Sequence, residues 1–223
     1  KLINNLLKIK NEIKIVFAAA QSQNEFLSEL VKNPTIEWSK IIAFHMDEYV
    51  GLPKNAQQLF GRYLHDHLFS KVNFKDIIII NSQAQSIEAE CRRYEILLSE
   101  NIIDIVCMGI GENGHIAFND PPVADFNDNK LVKIVELDLP CRHQQVNDGC
   151  FASVEEVPKY AITLTVPALM SGSHLSITVP GIRKADAVKR SLYDKITTEC
   201  PASIVRTHKN AILYLDNDSA SML

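Results

Sequence analysis

The chain has 223 residues, of which 46% are hydrophobic and 22% are charged, and its formal net charge is −4. This composition is that of an ordinary globular protein, and the length predicts one α/β domain over residues 1–223. The acidic balance and the lack of a basic run argue against a nucleic-acid partner. No apolar segment approaches the roughly 20 residues of a membrane-spanning helix, so no membrane partner is expected.

The cysteines are odd in number and form no Cys-x-x-Cys pair. Reduced thiols and a cytoplasmic location are therefore expected, and a zinc site is not. The five cysteines are Cys91, Cys107, Cys141, Cys150 and Cys200.

The first half of the chain alternates apolar runs with amphipathic stretches. Apolar runs bounded by turn residues predict strands, and apolar residues spaced three or four apart predict helices. The alternation predicts a parallel sheet with right-handed crossovers, in which the four isoleucines of 77–80 form a buried strand. The predicted order is helix 1–14, strand 13–19, helix 25–31, strand 41–44, helix 57–69, strand 77–80, helix 86–100 and strand 102–108.

The second half is less regular. The polar stretch 138–151 predicts a loop or a lid, and a helix is expected from about residue 184 to Leu192. Together the two halves predict an α/β fold in three layers, with a mostly parallel sheet and helices on both faces. The further predicted strands are 131–137, 160–166, 175–179 and 211–215.

Small polar residues follow the first predicted strand and precede a helix. Ala20, Gln21, Ser22 and Gln23 would there expose backbone N–H groups and the positive end of the helix dipole, which suit a phosphate. An ordinary capped helix that begins at Ser22 is the alternative.

Two adjacent carboxylates, Asp47 and Glu48, follow the second strand within the stretch 45–53. One of them is a candidate general base, because a solvated turn does not need two such groups at the end of a strand. The alternative is that both only cap or solvate the loop.

Closely spaced glycines, among them Gly111 and Gly114, end the fourth predicted strand, where the backbone has to approach another group closely. The loop then presents Asn113, His115 and Asp120. An imidazole between an amide and a carboxylate has its tautomer and orientation fixed, as a general acid or base requires. A glycine-rich turn with a hydrogen-bonded histidine is the alternative, because Gly-x-Gly-x-x-Gly spacing is a weak signal.

Two basic residues are candidates for holding an anion. Arg142 lies in the polar stretch, and Lys184 follows a predicted strand and a glycine. A surface arginine and a solvated lysine at a helix start are the alternatives.

The candidate residues lie on loops that follow parallel strands. Ligands of such sheets bind beyond the carboxyl ends of the strands. We therefore expect the loops with Ser22, Asp47 and His115 to converge on one edge.

Two long segments resemble the paired signature of the glucosamine-6-phosphate deaminases, also called isomerases. They are His-Met-Asp-Glu-Tyr-Val-Gly-Leu-Pro at 45–53 and Gly-His-Ile-Ala-Phe-Asn-Asp-Pro at 114–121. A third family segment is matched by Val-Pro-Gly-Ile-Arg-Lys-Ala at 179–185. The resemblance runs from about the first strand to the last. The related 6-phosphogluconolactonases share the glycine-histidine loop and the fold, so the motifs specify the family more closely than the reaction.

The resemblance implies a cytoplasmic enzyme of amino-sugar catabolism with a modified Rossmann-like fold and neither a metal nor an organic cofactor. It would convert glucosamine 6-phosphate and water to fructose 6-phosphate and ammonia. In such enzymes the residue matching Asp47 moves a proton from C2 to C1 of the open-chain sugar. The residue matching His115 assists ring opening, and the one matching Asp120 tunes it. The residue matching Lys184 holds the phosphate of the substrate together with the loop after the first strand. A homo-oligomer is a further expectation.

The chain also departs from the family pattern. Asn113 stands where aspartate is usual and Asp120 where glutamate is usual, and the phosphate-binding arginine expected near Cys150 is missing. Arg142 and Arg183 are the candidates to replace that arginine. The departures leave open a related substrate such as galactosamine 6-phosphate, a 6-phosphogluconolactonase-like hydrolase, and a protein that binds a sugar phosphate without turnover.

Overall fold

Two β-sheets organise the chain in the computed structural model, which describes all of residues 1–223. The larger sheet is built from β1 (Ile13–Phe17), β2 (Ile41–His45), β4 (Asp76–Ile78), β5 (Ile105–Met108), β8 (His174–Val179) and β9 (Ala211–Leu215). Its strands are parallel and lie in the order β4-β2-β1-β5-β8-β9. The smaller sheet is built from β3 (Asp47–Val50), β6 (Val132–Glu136) and β7 (Tyr160–Leu164). It is antiparallel, in the order β3-β7-β6.

Helices surround the larger sheet, which confirms the predicted α/β fold. They are α1 (Leu2–Leu7), α2 (Asn24–Lys32), α3 (Phe60–Leu64), α4 (Ile87–Ser99), α5 (Leu139–Asn147), α6 (Val166–Met170) and α7 (Ala185–Tyr193). A π-helical turn at His65–Phe69 continues α3. None of these helices has both the length and the apolar character that crossing a membrane requires.

The central strand β1 is buried on both faces. Ile13, Ile15 and Phe17 belong to a core that also contains side chains of α1 and α2, whereas Val16 belongs to the core that contains side chains of α4 and α7. A parallel strand covered on both faces is apolar at every position that faces a core. This is why the apolar run at 13–19 predicts the strand correctly.

The strand order reverses beside β1. The chain passes from β1 through α2 to β2 on one side, and later from β4 through α4 to β5 on the other side. The loops that follow β1 and β5 therefore lead away in opposite directions and leave a crevice at the carboxyl edge. Such a point is where open α/β sheets bind their ligands.

The antiparallel sheet differs from the sequence prediction, which places a loop at 45–53. Met46 alone separates β2 from β3, and Asp47 pairs with Thr163 of β7. The consequence for function is that Asp47 stands on a strand with a fixed backbone and not on a solvated loop.

The prediction of a loop or lid at 138–151 is wrong, because α5 occupies most of this stretch. Asp138 caps the helix by accepting a hydrogen bond from Cys141 N at 2.8 Å, and Pro140 lies in the first turn. Both are ordinary signals of a helix start. The polar composition concealed the helix because Gln144 and Gln145 are buried polar side chains.

The predicted strand 77–80 and helix 1–14 also need correction. β4 is an edge strand, so that Ile77 is 38% exposed and Ile79, just beyond it, is 44% exposed. The first helix ends at Leu7, and β1 already begins at Ile13.

The largest core joins the two sheets. Val16 and Phe44 of the larger sheet and Ile162 and Leu164 of the smaller sheet belong to the same cluster of buried side chains. This shared core supports our proposal that residues 1–223 form one domain.

We expect Asp138→Ala to loosen α5 without unfolding the protein. The substitution removes the acceptor of Cys141 N, and loss of such a cap costs about 1 kcal/mol. Hydrogen exchange of the amides in the first turn of α5 should accelerate roughly five-fold, which mass spectrometry can measure. Ser86→Ala is the matched control, because Ser86 caps α4 by accepting from Ala89 N at 3.1 Å. Equal acceleration in α5 for both variants would contradict the prediction.

Candidate active site

A cavity of about 630 Å³ opens at the carboxyl edge of the larger sheet. Its walls come from the loops after β1, β2, β5 and β8 and from α5, so the predicted loops do meet at one edge. Sites for small metabolites have volumes of this order. The predicted site residues that line it are Ala20, Gln21, Ser22, Gln23, Asp47, Gly111, His115 and Lys184.

Asp47 is a buried carboxylate in the cavity wall. It is 6% exposed, and its side chain receives no hydrogen bond. Burial raises the pKa of Asp47 well above its usual range, and the charge of the neighbouring Glu48 raises it further. A carboxylate with a raised pKa at the cavity surface has the basicity that a general base needs.

Glu48 points away from the cavity, because successive residues of a strand point to opposite faces. Its carboxylate accepts hydrogen bonds from the backbone N–H groups of Tyr49 at 2.9 Å, Phe60 at 2.9 Å and Gly61 at 2.8 Å. Glu48 therefore anchors the start of α3. Glu48 does not line the cavity, so its position does not support the predicted role as a substrate ligand.

The imidazole of His115 is positioned by hydrogen bonds on the side that faces away from the cavity. Its Nδ1 lies 2.8 Å from Asp120 Oδ1, and Asn113 Nδ2 donates to the same oxygen at 2.8 Å. The backbone N–H of His115 donates to Asn113 Oδ1 at 3.0 Å. Asn113 and Asp120 contact His115 and do not line the cavity. With Nδ1 engaged, Nε2 is the ring nitrogen available for chemistry in the cavity.

Asp120 stays ionised although it is buried. Burial acts to raise its pKa, but the charge of His115 and the hydrogen bonds with His115 and Asn113 outweigh that effect. The net result is a pKa below the usual range for aspartate. A carboxylate at this place keeps the proton on Nδ1 and stabilises the imidazolium form of His115.

Two glycines set the position of His115. A Cβ on Gly111 would lie 2.2 Å from His115 Cε1, so the ring packs directly on this residue. Gly114 has a φ of +90°, and a Cβ there would lie 2.6 Å from Cys200 Sγ. Gly111 lines the cavity, whereas Gly114 does not. Both act through the imidazole that they position.

The cavity also has groups that are suited to an anion. Lys184 is 8% exposed and forms no ion pair. Burial lowers the pKa of Lys184, which the carboxylates of Asp148 and Glu112 partly oppose. Ser22 lies in the short helical turn before α2, where the first N–H groups have no partner within the helix. A buried cation beside such groups is complemented by a bound anion.

The loop after β1 is fixed by its own contacts. Gln23 is buried, and its Nε2 donates to the Thr178 carbonyl oxygen of β8 at 3.1 Å. The Tyr63 hydroxyl lies 2.6 Å from the carbonyl oxygen of Ala20. The sequence identifies this loop, but it does not reveal that Gln23 ties the loop to β8.

The two arginines considered as anion ligands are engaged elsewhere. Arg142 donates to the carbonyl oxygens of Val154 and Val157 and does not line the cavity. Arg183 does line it, but its guanidinium pairs with Asp148 at 2.7 Å and with Glu112 at 3.3 Å. Lys184 is therefore the cation of the cavity wall that has no ion pair, and the position of Arg142 does not support the predicted role as an anion ligand.

One wall of the cavity is absent from the sequence prediction. Gln144 and Gln145 of α5 and Asp148, just after the helix, line it. Gln145 Oε1 accepts a hydrogen bond from the Tyr49 hydroxyl at 2.7 Å. With Cys141, these residues have the spacing of one helix face. That polar face, combined with the cap at the helix start, is the signal that could have located this wall.

One group of metal-binding side-chain types adjoins the site. His115, Asp120 and Cys141 present donor atoms that lie within 4.8 Å of one another. Burial and the nearby Asp120 carboxylate raise the pKa of the Cys141 thiol, whereas metals bind the thiolate. The protonated thiol therefore disfavours metal coordination by this group.

Residues 1–214 match the model of a family described as glucosamine-6-phosphate isomerases/6-phosphogluconolactonase. The glucosamine-6-phosphate deaminase of Bacillus cereus (strain B4264) is 33% identical over 222 residues, which cover 100% of this chain and 82% of the relative. The enzyme of the same name from Streptococcus pyogenes serotype M18 is 34% identical over 206 residues, which cover 92% and 86%.

The structure of a monomeric glucosamine-6-phosphate deaminase has a TM-score of 0.88 at 28% identity and covers 99% of this chain and 92% of its own. A 6-phosphogluconolactonase from Thermotoga maritima has a TM-score of 0.77 at 22% identity, with coverage of 96% and 89%, which is a likeness of fold. Since the family model matches nearly the whole chain, and relatives above 30% identity align along it, this chain belongs to the glucosamine-6-phosphate isomerase/6-phosphogluconolactonase family.

Proposed function

We propose that this protein is a glucosamine-6-phosphate deaminase, which converts glucosamine 6-phosphate and water to fructose 6-phosphate and ammonia. The proposal is carried by one observation: the unpaired carboxylate of Asp47, the imidazole of His115 and the buried cation Lys184 line a single cavity. The relatives from Bacillus cereus and Streptococcus pyogenes that bear this name support it.

Phosphate binding at Lys184 and at the N–H groups around Ser22 would position the sugar. These contacts lie apart from the reacting carbons, so their binding energy orients C1 and C2 against the base. The phosphosugar is the small-molecule partner in this proposal.

Ring opening is assigned to His115. Opening the pyranose moves a proton from the hydroxyl on C1 to the ring oxygen, and one imidazole nitrogen can accept the first proton and deliver one to the oxygen. Asp120 and Asn113 keep the ring oriented while its charge changes.

Isomerisation and deamination are assigned to Asp47. Its carboxylate takes the proton from C2 while the aldehyde oxygen on C1 takes up a proton, which leaves an enolamine across C1 and C2. The carboxylate then returns its proton to C1, and loss of one proton from the nitrogen gives an imine at C2. Water adds to the imine, and ammonia leaves as the ketone forms. The raised pKa of Asp47 suits this step, because a more basic carboxylate removes a carbon-bound proton more readily.

Lactone hydrolysis, the principal alternative, requires activation of water but no transfer of a carbon-bound proton. The buried Asp47 carboxylate favours the deaminase for this reason.

The cytoplasmic location and the homo-oligomer stay predictions. The relative with the TM-score of 0.88 is described as monomeric, and light scattering would measure the number of subunits here.

We expect the purified protein to release ammonia and a ketose phosphate from glucosamine 6-phosphate, and Asp47→Asn to lower kcat about 10²- to 10⁴-fold. Substrate binding should be retained, because the asparagine has the same shape. Coupled enzyme assays for ammonia and fructose 6-phosphate measure both products. Hydrolysis of 6-phosphogluconolactone without ammonia release would favour the lactonase, and binding of both compounds without turnover of either would favour a non-catalytic protein.

The effect of Asp47→Asn on stability can be compared with that of Glu48→Gln. Because the folded-state pKa of Asp47 lies above its unfolded value of about 3.9, its ionisation disfavours folding as the pH rises above that value. Asp47→Asn should therefore raise Tm at pH 7. Glu48→Gln should lower stability by about 1–3 kcal/mol, because one backbone donor loses its acceptor.

Asn113→Asp should move the pH profile of kcat/KM to higher pH by roughly one unit. The new carboxylate lies beside Asp120 and raises the pKa values of the His115–Asp120 pair, because negative charge favours their protonated forms. Asn5→Asp is the control, since Asn5 is exposed on α1, which leads into the opposite edge of the sheet. An unchanged profile would remove Asn113 from the mechanism.

Lys184→Met should raise KM for the phosphorylated substrate roughly 10- to 100-fold, which is the loss expected when a charged hydrogen bond is removed. Steady-state kinetics measure the change. Lys189→Met removes the same charge from an exposed position on α7 and should leave KM unchanged. Equal effects of the two substitutions would mean that Lys184 does not contact the phosphate.

A further inference from the structure

Acidic residues outnumber cations in the walls of the cavity, although the proposed substrate carries a phosphate. The cations that line the cavity are Arg183 and Lys184. The acidic residues that line it are Glu25, Asp47, Asp148, Asp216 and Asp218. The phosphate of a sugar ester carries about two negative charges at neutral pH. Its binding therefore meets opposing charge in these walls.

Asp148 is the acidic residue of the cavity wall that pairs with one of these cations. Its Oδ1 accepts a hydrogen bond from Arg183 Nη2 at 2.7 Å, and its Oδ2 accepts one from Gln144 Nε2 at 3.4 Å. The side chain of Asp148 is 23% exposed and that of Arg183 is 51% exposed. The ion pair is thus partly shielded from solvent, where charges interact more strongly than on an open surface.

Glu112 holds the same guanidinium from a second direction. Its Oε1 lies 3.3 Å from Arg183 Nε, and its backbone N–H donates to Gln144 Oε1 at 3.1 Å. With the contacts of Asp148, these bonds close a ring that joins the loops after β5 and β8 to α5. The guanidinium of Arg183 is therefore fixed between two carboxylates.

The same two carboxylates act on Lys184. Burial lowers the pKa of Lys184, and the charges of Asp148 and Glu112 oppose that effect. A negative charge that stabilises the ammonium group also repels an anion that approaches it. Asp148 therefore acts on both cations of the cavity wall.

We propose that Asp148 is a specificity-determining residue, which competes with the phosphate of the substrate for Arg183 and weakens the binding of dianions more than that of monoanions. The substrate itself rests on the proposed function, whereas the competition can be measured with any anion that enters the cavity. Because Asp148 already neutralises the charge of Arg183, an anion gains less from this guanidinium, and the carboxylate also repels the anion. The repulsion grows with the charge of the ligand, so a dianion loses more affinity than a monoanion.

The test compares two ligands of similar shape and different charge. Glucitol 6-phosphate is a dianion at about pH 8, glucitol 6-sulfate is a monoanion, and neither has a carbonyl group that could be turned over. Asp148→Asn keeps an acceptor oxygen for Arg183 and removes the charge. The Kd of the phosphate should fall about five- to ten-fold in this variant, and that of the sulfate about two- to three-fold. Isothermal titration calorimetry measures both constants.

Two further variants separate competition for Arg183 from a general effect of charge. Asp194→Asn removes the same charge from an exposed position at the opposite end of α7 from Lys184, and it should leave both constants unchanged. In Arg183→Gln, the gain that Asp148→Asn brings to phosphate binding should shrink to about two-fold, because the contested guanidinium is absent. Equal gains for the two ligands, an undiminished gain in Arg183→Gln, or no gain at all would overturn the proposal.

Steady-state kinetics connect the ion pair to turnover. Asp148→Asn should lower KM for glucosamine 6-phosphate about five- to ten-fold and raise kcat/KM by a similar factor. Absence of ammonia release by the wild-type protein would contradict the proposed deaminase, while the two binding constants would still decide the role of Asp148.

Discussion

The carboxylate of Asp47 is buried without a hydrogen-bond donor, and much of the surrounding structure serves to hold it there. It stands at the start of β3, with Met46 alone between it and the end of β2, so two sheets fix its backbone. Glu48 is tied to the start of α3 by the backbone N–H groups of Phe60 and Gly61, and it also accepts from the N–H of Tyr49. The negative charge that stabilises α3 also makes Asp47 more basic. One dipeptide thus combines an anchor for the fold with a carboxylate whose pKa is raised.

Two aspartates of the site have opposite electrostatic environments. Asp47 has no donors, and its pKa is raised, whereas Asp120 has several, and its pKa is lowered. Such a division lets one carboxylate exchange protons while the other keeps its charge and orients a histidine. Lys184, in the same cavity, carries a charge that the protein does not neutralise by an ion pair. The site therefore combines a buried cation with carboxylates of opposite electrostatic environment.

The parallel sheet and the position of the site follow from sequence patterns that report burial. Apolar strands such as β1 and β5 are covered on both faces, and polar residues directly after them lie at the carboxyl edge. The roles of Asp47 and Glu48 cannot be separated in the same way, because that requires knowing that 47–50 is a strand whose residues alternate between faces. The motif therefore identifies the pair of carboxylates, and the fold shows which of them faces the cavity.

The wall formed by α5 is a part of the site that the sequence patterns do not predict. Hydrophobic periodicity does not detect a helix whose inner face carries Gln144 and Gln145, because these polar side chains are buried. Arg142 is similarly ambiguous in sequence, since a guanidinium bonds carbonyl oxygens as readily as phosphate. In both cases the missing information is the direction of a polar side chain, which depends on contacts distant along the chain.

The packing of His115 on Gly111 limits how this site can move. With less space than a methyl group between the ring and the backbone, the imidazole cannot tip toward β5 by itself. The backbone N–H of Gly111 is also bonded to the carbonyl oxygen of His115 at 2.9 Å, so the turn closes on its own histidine. Ring and turn consequently form one mechanical unit, and any opening of the turn has to carry the acid-base nitrogen away with it.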